Sequence, residues 1–325
     1  MSGSQTSFLS NKTMHRNIKF LEIRSELGAG TFGSSLGIDA IKFAALKKHS
    51  DIFLTYHSES IESDTGWISP VLEHKFAKKI DEMMLLYEKI SLRIKQYLGT
   101  GFFPLVIAGD HANAGGTIAG IKRTYPQAKL GVIWIDAHGD IHSPYTTPSG
   151  NIHGMPLAIS LNLKNLDSQV NKLDERTEIL WEKLCNVGNI SPKILFEDLV
   201  LIDIRDLEQP EWDIIHRKNI EYYDPEDIQK HGIEYVAQNA LNYLDKCDYI
   251  YVSFDVDSLD PSISTGTGTP VQNGLTVEQA KSLLKILWKS PKLIAFEIVE
   301  VNPLLDNQNR MAEIAFELIQ SLIYE

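Results

Sequence analysis

Short apolar runs punctuate the chain at 18–23 (IKFLEI), 52–56 (IFLTY), 103–109 (FPLVIAG), 130–136 (LGVIWID), 199–204 (LVLIDI), 249–255 (YIYVSFD) and 293–299 (LIAFEIV). Several are near-continuous Val, Ile, Leu and Phe rather than alternating, as expected for strands covered on both faces. Between them the spacing predicts helices over 36–48, 75–98, 113–124, 233–245, 276–289 and 309–324. The helix from 276 starts on Thr276 with Glu278 in its first turn, and the last, MAEIAFELIQSLI, repeats apolar positions every three and four residues. Strands alternating with helices over most of a chain predict an α/β fold, a mostly parallel sheet sandwiched by helices with right-handed crossovers. The polar stretch 161–198 breaks the rhythm and reads as an excursion at the sheet's edge. Residues 1–17 read as a flexible tail, followed by a single domain over 18–325.

Composition narrows the function classes. At 325 residues, with 43% hydrophobic and 23% charged positions, the chain can bury a sizeable core. A net charge of −12 argues against nucleic acid or an anionic membrane as the main partner and suits a small cationic substrate. Two cysteines, Cys185 and Cys247, make no disulfide framework for a chain this long and fit idle thiols in a reducing compartment. No signal-peptide pattern opens the sequence, and no run of 18 apolar residues could span a membrane. A soluble, cytoplasmic protein is expected.

Gly28, Gly30 and Gly33 form G-x-G-x-x-G after the first run and before the first helix, where a dinucleotide fingerprint would lie. The first acid after the next apolar run, Glu59, comes 26 residues past the last glycine rather than about 20. The same glycines equally serve a strand-to-helix turn.

Ligands of open α/β sheets bind beyond the carboxyl ends of the strands, so the residues following each apolar run form a candidate site. Four runs deliver acids and imidazoles there: Asp110-His111; Asp136, His138, Asp140 and His142; Asp255, Asp257 and Asp260; and Glu300. In extended chain, residues at i, i+2 and i+4 point the same way, so Asp136, His138 and Asp140 can converge, as can Asp255 and Asp257. Such a concentration of carboxylates repels itself unless cations sit among them. Four Asp and two His with no Cys suit hard or borderline divalent ions such as Mn²⁺ better than a thiolate zinc site.

IAGDH (107–111), IDAHGD (135–140), SGNIHGMP (149–156), SFDVDSLDPS (253–262), GTGTPV (266–271) and EIVEVNP (297–303) resemble, in order, the signature blocks of the arginase/ureohydrolase family. The resemblance spans roughly residues 18–320. It implies a three-layer α/β/α domain, a binuclear manganese centre, hydrolysis of guanidino C–N bonds by a metal-bridging hydroxide, and homo-oligomers, usually trimers or hexamers. Carried over by position, one Mn²⁺ would be held by His111, Asp136, Asp140 and Asp255, and the other by Asp136, His138, Asp255 and Asp257. Asp140 would take the nucleophile's remaining proton, Glu300 would anchor the guanidinium, and His153 would shuttle a proton to the leaving amine.

The SGNIHGMP block is closer to arginases than to agmatinases. It implies that Ser149 and Asn151 hold a substrate α-carboxylate, that Thr269 lies beneath the guanidinium, and that Glu208 and Glu211 face the α-amino group. Two positions depart from the family pattern: His142 stands where Asn is usual, and Glu208 where Asp is usual. Both imply contacts with the amino-acid end of the substrate, His142 by offering an N–H to the carboxylate. Ala112 replaces a common Ser. The reading is an arginase, L-arginine to L-ornithine and urea. The alternative is another guanidino or formimino amidinohydrolase (agmatinase-, guanidinobutyrase- or formimidoylglutamase-like). Further alternatives are a nucleotide-dependent oxidoreductase using the 28–33 glycines and a catalytically silent regulatory member.

Overall fold

In the apolar runs, consecutive residues are buried in opposite directions. Val132 and Trp134 enter one hydrophobic core while Ile133 and Ile135 enter another, and Leu201 and Ile202 divide in the same way. A strand so built is apolar throughout because both of its faces are covered. The computed structural model describes residues 16–63 and 74–324.

The chain begins with β1 (Ile18–Arg24), α1 (Gly37–Lys47), the single turn α2 (Ile52–Thr55) and β2 (Ser58–Glu62), followed by α3 (Ile80–Gly99). Next come β3 (Phe103–Ala108), α4 (Ala114–Thr124), β4 (Leu130–Ile135), α5 (Pro156–Leu161), α6 (Glu175–Cys185) and β5 (Leu199–Ile202). The remainder is α7 (Gln209–Lys218), β6 (Glu221–Tyr223), α8 (Pro225–His231), α9 (Ile233–Tyr243), β7 (Tyr249–Asp255), α10 (Val277–Trp288), β8 (Leu293–Val299) and α11 (Arg310–Ile323). All strand pairs are parallel, in the order β2-β1-β3-β8-β7-β4-β5-β6. Helices α3 to α7 cover one face, and α1, α2 and α8 to α11 cover the other. The expected α/β fold with a parallel sheet is the fold observed.

The four strands whose ends carry the candidate residues, β3, β8, β7 and β4, are consecutive neighbours at the centre of the sheet. The site is therefore mounted on strands that are each paired on both sides.

Several expectations require correction. The run 52–56 is the helical turn α2, not a strand; the strand lies just beyond it in the polar SESIE. Ile52 is buried and Phe53 packs on Phe20 with ring centroids 4.9 Å apart, so a short apolar run satisfied its burial as a helix. β2 is an edge strand that buries only Ile61, and Ser60 donates to Glu22 at 3.0 Å. The helix expected from 75 starts at Ile80. The stretch 161–198 is not an edge excursion: α6 inserts Leu180, Trp181 and Leu184 into the core beneath the sheet, its start capped by Asp174 accepting from Thr177 N–H at 2.9 Å. The proposed tail ends too late. Residues 1–15 lie outside the described residues, but the Arg16 guanidinium donates to the carbonyls of Trp288, Ser290 and Leu293, each at 2.8 Å.

Candidate active site

His111 begins a 3₁₀ turn at the end of β3, capped by Asp110, which accepts the Ala112 N–H at 2.9 Å. The imidazole lies flat on Trp134, with centroids 3.9 Å apart and 7° between planes, and its Nε2 is 2.8 Å from Ser253 Oγ. That leaves Nδ1 facing Asp136 at 2.8 Å and Asp140 and Asp255 at 3.1 Å each. His138 Nδ1 lies 3.0 Å from Asp257 and 3.3 Å from Asp136. Two groups result, His111–Asp136–Asp255 and Asp136–His138–Asp257, each with its ligand atoms within 4.8 Å of one another, and Asp136 belongs to both.

The donor set fits a pair of divalent cations. His111 Nδ1 is buried with no hydrogen-bond partner although three carboxylate oxygens surround it. Nitrogen and oxygen donors without sulfur suit hard or borderline ions. Burial, reinforced by Asp136, pushes Asp140 up to about 6, and burial with Asp257 and Asp136 raises Asp255 well above the carboxylate range. Cations in the cluster would relieve that repulsion.

Two acids of the site sit on left-handed backbone, Asp140 at φ 48° and Glu300 at φ 67°. That conformation costs of the order of 1 kcal/mol or more for a residue with a side chain. At Glu300 it is held by the N–H bond to the Gly109 carbonyl at 3.1 Å, and it brings Oε1 to the His111 N–H at 3.0 Å. His153 Nδ1 is 3.5 Å from the same oxygen. Burial works against a charge on His153, but Glu300, with Asp140 and Asp110, pushes it up to about 9.

Of the fourteen residues given a role from the sequence, all except Glu300 line one cleft of about 210 Å³; Glu300 lies behind it, against His111 and His153, and Asp110 and Asp260, also expected at this edge, do not line it. Toward solvent the cleft wall includes Ser149 and Asn151, the latter accepting from Lys78 at 2.9 Å. Thr269 donates to Asp257 at 3.3 Å. Glu208 is the N-cap of α7 and Glu211 its third residue; the Glu208 N–H donates to Glu211 at 3.2 Å, and the Ile141 N–H to the other Glu211 oxygen at 3.3 Å. His142 Nε2 is 3.0 Å from Glu208 and 3.4 Å from Glu211, so the two departures from the family pattern touch each other.

The glycine motif has a packing explanation. A Cβ on Gly28 would come within 2.5 Å of Ala112 Cβ, and one on Gly30 within 2.6 Å of the Asn151 amide. Gly28 also donates to Asp110 at 2.8 Å and accepts from His153 N–H at 3.1 Å, which docks this loop against the site.

The sequence reading missed Trp134, Ser253 and Arg205. Trp134 and Ser253 each precede a carboxylate by two residues and share its face; Trp134 Nε1 donates to Asp136 at 3.1 Å. Carrying the i, i+2 rule backwards into the strands would have found both. Arg205, almost fully buried, donates to the carbonyls of Asp203 and Asp257 at 2.8 Å, of Val271 and Gln272 at 3.0 Å, and to the Asp203 carboxylate at 2.6 Å. It ties together the loops carrying Asp257 and Thr269.

The profile of the Arginase family matches residues 25–324. The arginase of Bacillus subtilis is 34% identical over 316 residues, covering 95% of this chain and 98% of that protein. The arginase of Brevibacillus brevis is 36% identical over 315 residues, with the same coverage. The crystal structure of Bacillus caldovelox arginase superposes with a TM-score of 0.82 at 33% identity, covering 96% of this chain and 99% of that one. Fold and site together define an enzyme that hydrolyses C–N bonds of linear amidines, in a class built on a binuclear metal centre. The chain belongs to the arginase family.

Proposed function

We propose that the enzyme converts L-arginine and water to L-ornithine and urea with two Mn²⁺ per chain. The observation that carries the reading is the pair of His/Asp groups joined at Asp136 on the floor of the cleft, with Glu300 and His153 beside them. His111, Asp136, Asp140 and Asp255 would hold one ion, and Asp136, His138, Asp255 and Asp257 the other. Bound there, the ions would supply the Lewis acidity that makes water nucleophilic near neutral pH.

The remaining work falls to side chains. Glu300 receives the guanidinium in charge-assisted hydrogen bonds, with Thr269 beneath it. Asp140 accepts the proton that the attacking water gives up. Passed on from Asp140 to the leaving nitrogen, that proton lets ornithine depart as a neutral amine and not as a poor anionic leaving group, and His153, which its acidic neighbours push up to about 9, delivers the second proton that makes the product an ammonium. Ser149, Asn151, His142, Glu208 and Glu211 form the end of the cleft that meets the amino-acid part of the substrate. The relatives named arginases support arginine as that substrate.

The proposal also takes the chain from Arg16 onward as one domain, working as a trimer or hexamer in the cytoplasm. Its acidic net charge and two buried free thiols support a cationic substrate and a reducing compartment. Among the described residues no helix is long and apolar enough to cross a membrane. A second reading, an amidinohydrolase for another guanidino or formimino substrate, is favoured only by His142 and Glu208.

Product release by the Mn²⁺-loaded enzyme from arginine, agmatine, guanidinobutyrate, formiminoglutamate and guanidine tests the proposal. Arginine should be turned over best. Preference for another member of the set would keep the hydrolytic centre and replace the substrate, and no product from any of them would overturn the reading.

A further inference from the structure

Position 142 was expected to offer its N–H to a substrate carboxylate, but in the structure both ring nitrogens are already engaged. Nδ1 is 3.0 Å from Thr146 Oγ1 and Nε2 is 3.0 Å from Glu208 Oε2, with Glu211 Oε2 at 3.4 Å. The side chain is 7% exposed. A carboxylate approaching Nε2 would have to displace the Glu208 carboxylate already bound there, and that charge would repel it. Glu211 is buried and both of its oxygens accept backbone N–H groups, whereas the Glu208 side chain is 54% exposed on the wall of the same cleft. All three line the cleft, but Glu208 is the one most open to a substrate.

We propose that His142 is a positioning residue: it fixes the Glu208 carboxylate toward the cleft, where Glu208 receives the substrate's ammonium, and it does not itself bind the substrate's carboxylate. This rests on the hydrolase reading above and refines its specificity. An N-cap glutamate has one more rotatable bond than an aspartate, so an unheld Glu208 would spend much of its time turned to solvent. The imidazole adds to the capping contact with Glu211 the restraint that aims the carboxylate.

Three substrates separate the roles: arginine, agmatine, which lacks the carboxylate, and 5-guanidinovalerate, which lacks the α-ammonium. In the Mn²⁺-loaded enzyme, Glu208→Gln and His142→Ala should each lower kcat/KM for arginine and agmatine by about tenfold and leave 5-guanidinovalerate nearly unchanged. The double variant should be no worse than the poorer single one. His142→Gln, whose amide can still donate to Glu208, should recover most of the loss. If His142→Ala does not fold, Thr146→Val loosens the same ring from its other side and should give the same pattern more weakly.

A loss on arginine and 5-guanidinovalerate that spares agmatine would make His142 a direct carboxylate ligand and overturn the proposal, as would simple additivity of the two substitutions. Calorimetric binding of L-ornithine, putrescine and 5-aminovalerate gives a readout independent of turnover. His142→Ala should weaken the first two and not the third. Wild-type enzyme that releases urea from none of the guanidino compounds would refute the hydrolase reading, while the binding series would still decide the role of His142.

Discussion

At the inner end of the cleft, His111 is held from three sides, by Trp134 against its face, Ser253 at Nε2 and the carboxylates at Nδ1. At the outer end, Glu208 caps the start of α7 and is steadied by its contact with Glu211 and by one imidazole from a loop. The inner end stands on four adjacent central strands; the outer end stands on connections between elements. Chemistry that must place charges within tenths of an ångström is mounted on the sheet, and recognition that can drift from one relative to another is mounted on loops. The departures from the family pattern at 142 and 208 fall where the scaffold tolerates change, and they fall on two residues in contact.

Substitutions at the two ends should accordingly differ in size and kind. The largest effect is expected at Asp136, shared by both His/Asp groups: Asp136→Ala should cut turnover by on the order of a thousandfold or more, with Mn²⁺ content falling below two per chain by elemental analysis. One tightly held zinc in a fully active wild type would break the binuclear description. Next comes His153→Ala, expected to lower kcat by about 10²-fold or more with little change in KM, and to be partly rescued by added imidazole. Because His153 is pushed up to about 9, it stays protonated at neutral pH and loses its proton as the pH rises through 9. Wild-type kcat should therefore fall on the alkaline side of 9, and that limb should be missing in His153→Ala. A change in KM alone would make His153 a binding residue.

Ser253→Ala should weaken metal binding by about 10- to 100-fold with an intact circular dichroism spectrum, because His111 loses the partner that fixes its ring. Metal titration below saturation would show this, while activity recovers at saturating Mn²⁺. Smallest is the outer end: Ser149→Ala should cost about 1 kcal/mol in kcat/KM for arginine and leave agmatine unaffected. Equal losses on both substrates would move Ser149 away from the carboxylate.

The same division governs how much could be read from the sequence. Six of the seven apolar runs are strands because burial on both faces leaves an unmistakable composition, and the acids at their ends then had only one edge to occupy. β2 and β6 escaped notice because edge strands need not be apolar: β2 buries one residue, and β6 is three half-buried residues. Helix α6 escaped because its buried stripe, Leu180, Trp181 and Leu184, lies among Glu and Lys. Within the site, motifs marked which residues meet but not which of them are already spoken for. Only the coordinates show that His142 has no nitrogen to spare, and that the glycines at 28 and 30 answer to Ala112 and Asn151 across the fold.

The place of β8 also bears on how the protein is made. It lies between β3 and β7, and Glu300 just after it accepts the N–H of His111, 189 residues earlier. During synthesis, β1 to β7 leave the ribosome before the strand that must separate β3 from β7 exists. Until it arrives the sheet has two raw edges at its centre, and the neighbours of His111 are incomplete. Pairing across such a sequence distance is slow, and exposed strand edges invite association with other chains. The nascent chain thus has its greatest need of chaperone protection before residues 293–299 emerge, and the surroundings of His111 are complete only with them.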